Sequence, residues 1–204
     1  DIMRLQEITD PAEYLSETVT NTDYTVFIMA MDDAAKALTE EQRKKFADTG
    51  LMLLSELEFR DSYLAVVNRG DIVYEMSGHE KTFGDENERE SKQAEPAEVL
   101  TQGIAWQNML DNGSVYSLQS SGFNQGNTAS CRIDGIEYAL GERGLQFIVY
   151  DNRTYRVVHT AHFDTHLSSE RSPWDLSQDL REAMDSGQNY MDLADKTLGF
   201  YLYN

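Results

Sequence analysis

At 204 residues, 40% of them hydrophobic, the chain is long enough for one large domain, or a domain with appendages, and apolar enough to bury a core. Its formal charge of -19 creates a field that repels phosphate backbones and anionic lipid headgroups, which argues against nucleic acid as a partner. A single cysteine, Cys131, excludes an internal disulfide, no Cys/His cluster has zinc spacing, and no run approaches the roughly 18 apolar residues of a membrane span.

No signal peptide is expected at the start. The chain opens at Asp1, as would a piece whose targeting segment lies elsewhere. Thr9-Asp10-Pro11 reads as a helix start: Asp10 caps, Pro11 suits the first helical position, and Glu13 suits the dipole. Tyr14, Leu15 and Val19 face that helix inward. Tyr24 to Met31 is apolar on both faces, the pattern of a strand in the middle of a sheet, and Asp32-Asp33 ends it. Thr39-Glu40-Glu41-Gln42 is a capping box for a second helix that stops near Gly50. Ser62 to Asn68 is another buried strand, turned by Asn68-Arg69-Gly70-Asp71 into a hairpin with Ile72-Val73-Tyr74.

From Glu80 to Glu98 the chain carries seven acidic residues against three basic ones, a solvated connector, with a short helix expected between Ala97 and Met109. Strands resume at Ser114 to Leu118, at Ala129 to Ile133, and at Ile136 to Tyr138 across an Asp134-Gly135 turn. Gly144 to Thr165 reads as two strands over the turn Asp151-Asn152-Arg153-Thr154. Leu145, Phe147 and Val149 share one face of the first strand, and Tyr155, Val157, His159, Ala161 and Phe163 share one face of the second. Ser172-Pro173-Trp174-Asp175 caps a last helix ending at Gly187, and an aromatic tail follows to Asn204. The expected fold is α+β: two packed, mainly antiparallel β-sheets flanked by helices, in one domain.

Nothing along the chain carries a catalytic signature. Ser120, Ser121 and Cys131 lack a recognisable base. His162, Asp164 and His166 alternate, which on paper suits a metal or general-base pair, but simple hydrogen bonding is the expected role. Asp32-Asp33 suits capping of the segment after the strand, and Arg60-Asp61 suits pairing with neighbours at the start of the next one. Arg69-Gly70-Asp71 spells an adhesion tripeptide that a hairpin turn explains. Asn112-Gly113-Ser114 and Asn152-Arg153-Thr154 fit the glycosylation pattern of a eukaryotic secretory pathway. No metal and no cofactor is expected.

Two blocks resemble the domain shared by the PANDER and ILEI cytokine-like proteins. One, Asp10 to Tyr74, holds the buried strand, Asp32-Asp33 and Phe59-Arg60-Asp61-Ser62-Tyr63. The other, Ser114 to His166, holds Ser121-Gly122-Phe123, Ile133-Asp134-Gly135, Arg143-Gly144-Leu145, Ile148-Val149-Tyr150-Asp151 and Phe163-Asp164-Thr165. The blocks stand in the opposite order to the animal family, as in a circular permutation. The resemblance divides the chain into a second-half block at 10–78, an acidic connector at 79–109, a first-half block at 110–187, and a tail at 188–204 whose docking is open.

The exchanged order is similar to bacterial versions attached to membrane-bound envelope enzymes, which implies an extracytoplasmic location, with no direct membrane insertion by this stretch. A related domain in the stem of the glycosyltransferase that adds N-acetylglucosamine to O-mannose binds sugar. Carried over, that site implies Asp32 as acceptor, Arg60 and Arg143 as donors, and Tyr63, at a tryptophan position, as an apolar wall. The expected function is a non-catalytic carbohydrate-binding accessory module, its partners a glycan and an attached enzyme domain. A protein-interaction module is the alternative, and a metal-dependent hydrolase using His162, Asp164 and His166 a third reading.

Overall fold

A computed structural model of the chain describes residues 2–79 and 103–171. The acidic stretch Glu80 to Glu98, the helix expected from Ser172 and the tail from Gln188 lie outside the described residues.

The chain is organised around β1 (Tyr24–Met31), an eight-residue strand with no glycine or proline and no exposed position. It lies at the centre of a five-stranded antiparallel sheet in the order β3-β2-β1-β8-β9, where β2 is Ser62–Asn68, β3 Asp71–Gly78, β8 Gly144–Asp151 and β9 Arg156–Phe163. The two halves of the chain therefore meet in one sheet, β2 on one side of β1 and β8 on the other.

Both faces of this sheet are covered, which is why β1 is apolar throughout. Val26, Ile28 and Ala30 point to the helical side, where they join Tyr14, Leu15 and Val19 of α2 (Pro11–Val19), Phe46 of α3 (Glu40–Asp48) and Leu54 of α4 (Met52–Ser55). A shorter helix, α1 (Ile2–Leu5), adds Leu5 to the same core. Phe27 and Met29 point the other way, into a core shared with Tyr116, Leu118, Cys131 and Ile133. Each buried Val, Leu, Ile, Phe or Met among them contributes about 1.5–3 kcal/mol by leaving water, so both layers on β1 stabilise the fold.

The helices begin as the local chemistry requires. Asp10 accepts from the Ala12 amide at 2.8 Å. Thr39 and Gln42 form a reciprocal capping box, at 3.1 and 3.0 Å.

The second sheet runs β4-β5-β6-β7, antiparallel throughout: β4 Ile104–Met109, β5 Val115–Ser120, β6 Ala129–Ile133 and β7 Ile136–Glu137. The short helix expected up to Met109 is not there in its described part; Ile104–Met109 is an edge strand instead. Its half-buried Ile104 and Trp106 alternate with exposed Ala105 and Gln107, and the Trp106 ring stacks on Tyr74 at 3.9 Å. Cross-sheet packing overrides a composition that reads as helical.

A second difference lies in β9. Val149 pairs with His159 but Tyr150 with Val157, so Val158 is the extra residue of a bulge. The bulge turns Val157 into the inter-sheet core beside Tyr150, while His159, Ala161 and Phe163 stay on the helical side. Strict alternation puts Val157 on the wrong face.

Candidate functional site

At one end of the central sheet four chain segments converge. Met31 pairs with Gly144, so the next residues along the antiparallel strands, Asp32 and Arg143, leave the sheet together. Asp32 has a left-handed backbone (φ 62°) and donates its amide to the Ser121 carbonyl at 3.3 Å, bridging to Gly122. Gly144 has φ 110°, and a Cβ there would run into the Phe163 carbonyl. Only glycine lets the end of β9 come this close, and the closeness sets Asp164 against Arg143.

Asp33 ties the segments together. Its carboxylate is fully buried, and it accepts from the Ala35 amide at 3.0 Å, the Arg60 amide at 3.3 Å and His166 Nδ1 at 2.6 Å. The capping role expected of Asp32-Asp33 thus falls to Asp33. Among the described residues, no hydrogen bond or ion pair engages the Asp32 carboxylate.

The Arg60-Asp61 pair divides in the same way. Asp61 is structural: it accepts from the Glu58 amide at 2.8 Å and meets His79 Nδ1 at 2.7 Å, and burial pushes its carboxyl pKa up. Arg60 does the opposite. Its guanidinium lies 4.8 Å from the ring centre of Phe59 and 4.6 Å from that of Phe123, and it finds no hydrogen-bond or carboxylate partner among the described residues. Its Nε is buried and unpaired, and its backbone is left-handed (φ 62°). The neighbouring Gly122–Thr128 loop repeats both features, with Asn127 at φ 51° and the Gln125 Oε1 and Asn127 Oδ1 atoms buried without partners among the described residues. Strained backbone and unsatisfied polar atoms together are features that stability alone would remove.

Arg143 is anchored. Its Nε and Nη2 donate to the two oxygens of Asp164 at 3.0 and 2.7 Å. These bonds raise the arginine pKa first, with the charges of Asp164, Asp32 and Asp33 adding to the effect. Burial works against the charge on Asp164, yet the Arg143 hydrogen bonds and charge outweigh it and hold the carboxyl below its usual range.

Of the four residues expected at a site, the structure brings Asp32, Arg60 and Arg143 to one end and removes Tyr63. Tyr63 is fully buried in the helical-side core, its hydroxyl donating to Glu75 at 3.0 Å, because β2 is covered on both faces. It cannot wall an open site. The aromatic faces at this end belong to Phe59 and Phe123, each 49% exposed. The signal for them was present in the sequence as a phenylalanine beside Arg60 and another after Ser121-Gly122, both in otherwise polar loops.

His162, Asp164 and His166 do not share a cleft. His162 Nε2 donates to the Arg143 carbonyl at 2.5 Å, Asp164 holds Arg143 and His166 meets Asp33. Among the described residues no cluster of His, Cys, Asp and Glu could hold a metal ion. Arg69-Gly70 is the β2–β3 hairpin turn, with positive φ at both residues. Asn152 is buried and bonded to Thr25 and Asn68, so it is closed to glycosylation.

The fold and this end of it define an α+β domain of two packed antiparallel sheets in which part-buried Arg60 lies against two exposed phenyl rings. No family model matches the chain, and neither a curated protein nor a solved structure matches it.

Proposed function

We propose that the chain is a non-catalytic carbohydrate-binding accessory module, a permuted domain of the PANDER/ILEI type and the extracytoplasmic part of a larger envelope or glycan-processing protein. One observation carries the reading: Asp32, Arg60 and Arg143 meet at a single sheet end, flanked by Phe59 and Phe123. A sugar ring offers vicinal hydroxyls that both donate and accept, and an apolar face of C–H groups. Asp32 accepts from hydroxyls, Arg60 donates to ring and hydroxyl oxygens, and the phenyl rings cover the apolar face. Arg143, already gripped by Asp164, is a fixed donor rather than a mobile one.

A glycan-array screen of the domain tests this, with Asp32→Asn and Arg60→Asn alongside. Asparagine tolerates the left-handed backbone that both positions need, so the variants separate lost binding from lost folding. Binding of a defined glycan by the wild type, lost in folded variants, is the expected result. No glycan bound by the folded wild type sinks the proposal.

A protein-interaction role has one observation in its favour. Edge strand β3 exposes apolar side chains on both of its faces, Ile72 on the helical side and Met76 on the inter-sheet side, with Val73 at the bulge between them. Ile72→Lys abolishing a partner's binding while leaving glycan binding intact would support that second role.

A further inference from the structure

We infer that the saccharide taken at this end is an acidic one, a uronic acid whose carboxylate docks on Arg60; the inference rests on the carbohydrate reading above. The chain holds 36 carboxylate side chains against 17 lysines and arginines. With about two acids for each base, a cation close to the backbone would ordinarily find an internal partner. Arg143, Arg153 and Arg69 all do, and the other described cations that do not, Lys36, Lys44 and Arg156, are exposed to water, whereas Arg60 is part-buried. Among the described residues Arg60 finds no such partner, although Glu58 and Asp61 lie close to it in sequence; Asp61 turns to His79 instead, and Glu58 meets the same imidazole at 3.1 Å. The two carboxylates close to it in sequence are thus engaged away from it, and Asp33 takes its backbone amide and His166 rather than its guanidinium.

What surrounds the guanidinium also favours a planar anion. Two phenyl rings pack against it at 4.8 and 4.6 Å, which limits its rotation and its hydration. An arginine held in this way presents its outer N–H groups as a rigid fork, the geometry that a carboxylate matches with two parallel charge-assisted bonds. A neutral hydroxyl fills only part of that fork. Arg143 cannot take the same part, because Asp164 already occupies its fork. Asp32 remains the acceptor for a hydroxyl, so the two residues read an acid group and an alcohol on one ligand.

The test is calorimetric titration of the whole chain with glucuronate and galacturonate oligosaccharides, their methyl esters, and sulfated neutral oligosaccharides. The acids are expected to bind at least tenfold more tightly than their esters. Arg60→Gln should erase that difference while leaving the thermal midpoint in place, and Arg60→Lys should restore only part of it, lacking the fork. Equal affinity for acid and ester, or binding confined to neutral glycans, overturns the acidic specificity and leaves the carbohydrate reading standing. Tighter binding of the sulfated compounds overturns the planar-carboxylate assignment. No binding of any saccharide, charged or neutral, overturns both.

Discussion

His159 offers the sharpest physical test of the fold. It projects from β9 into the helical-side core, 9% exposed, hydrogen-bonded through Nδ1 to the Tyr14 hydroxyl at 2.6 Å. Burial pushes its pKa from 6.5 down to about 3, and the charge of Arg171 pushes in the same direction. The imidazole therefore stays neutral in the fold while the unfolded chain takes up a proton. Its contribution to stability is complete above pH 6.5 and is lost as pH falls from 6.5 toward 3. One pH unit inside that window is worth about 1.4 kcal/mol, so acidification to pH 5 should remove about 2 kcal/mol. Urea unfolding at pH 7.5 and pH 5.0, on the wild type and on His159→Gln, measures it. Glutamine can still pair with Tyr14 but does not titrate. Asp61, whose raised pKa acts in the opposite sense, is common to both proteins and cancels in the comparison. The wild type should lose about 2 kcal/mol more than the variant. Equal losses would show that His159 is not held neutral by the core, and would refute the packing of α2 on β9 described above.

Three further outcomes follow from the site. Tyr63→Phe removes a buried hydroxyl that donates to Glu75, so it should cost about 1 kcal/mol in urea unfolding. It should leave glycan affinity unchanged; lost affinity would return Tyr63 to the site. Gly144→Ala forces a side chain onto a φ of 110° and against the Phe163 carbonyl, so a loss of at least ~2 kcal/mol is expected. A variant as stable as wild type would show that β9 does not approach β8 so closely. Asp164→Asn removes the anionic half of the Arg143 fork. Because the folded pKa of Asp164 is lowered, its contribution is present above 3.8 and is lost as pH falls through the folded value. The stability gap between wild type and variant should therefore close in acid, as followed by thermal unfolding from pH 7 to pH 2.5. A gap independent of pH would mean that Arg143 does not depend on the charge of Asp164.

The sequence alone determined what depends on neighbouring residues. A capping box is a reciprocal pair of hydrogen bonds within one turn, so Thr39 and Gln42 announced α3. The Asp10 cap announced α2, and Arg69-Gly70 announced the β2–β3 hairpin. β1 announced its central place because a strand that is apolar on both faces has no face to give to water.

The tertiary structure decided what depends on coverage by distant elements. Ile104–Met109 became a strand because β5 lay beside it to supply hydrogen-bond partners. Val157 changed face because one extra residue entered β9, a register event that composition does not record. Tyr63 and Phe59 illustrate the same point at the site: two aromatics in one short motif, the first buried and the second half-exposed. Arg60 and Asp61 are adjacent in the chain, yet among the described residues only the Asp61 side chain has a charged partner, because His79 at the end of β3 lies within its reach. Exposure and pairing are properties of the assembled surface. The energy of a charge depends on which groups folding brings within a few ångströms of it, and those groups come from other parts of the chain.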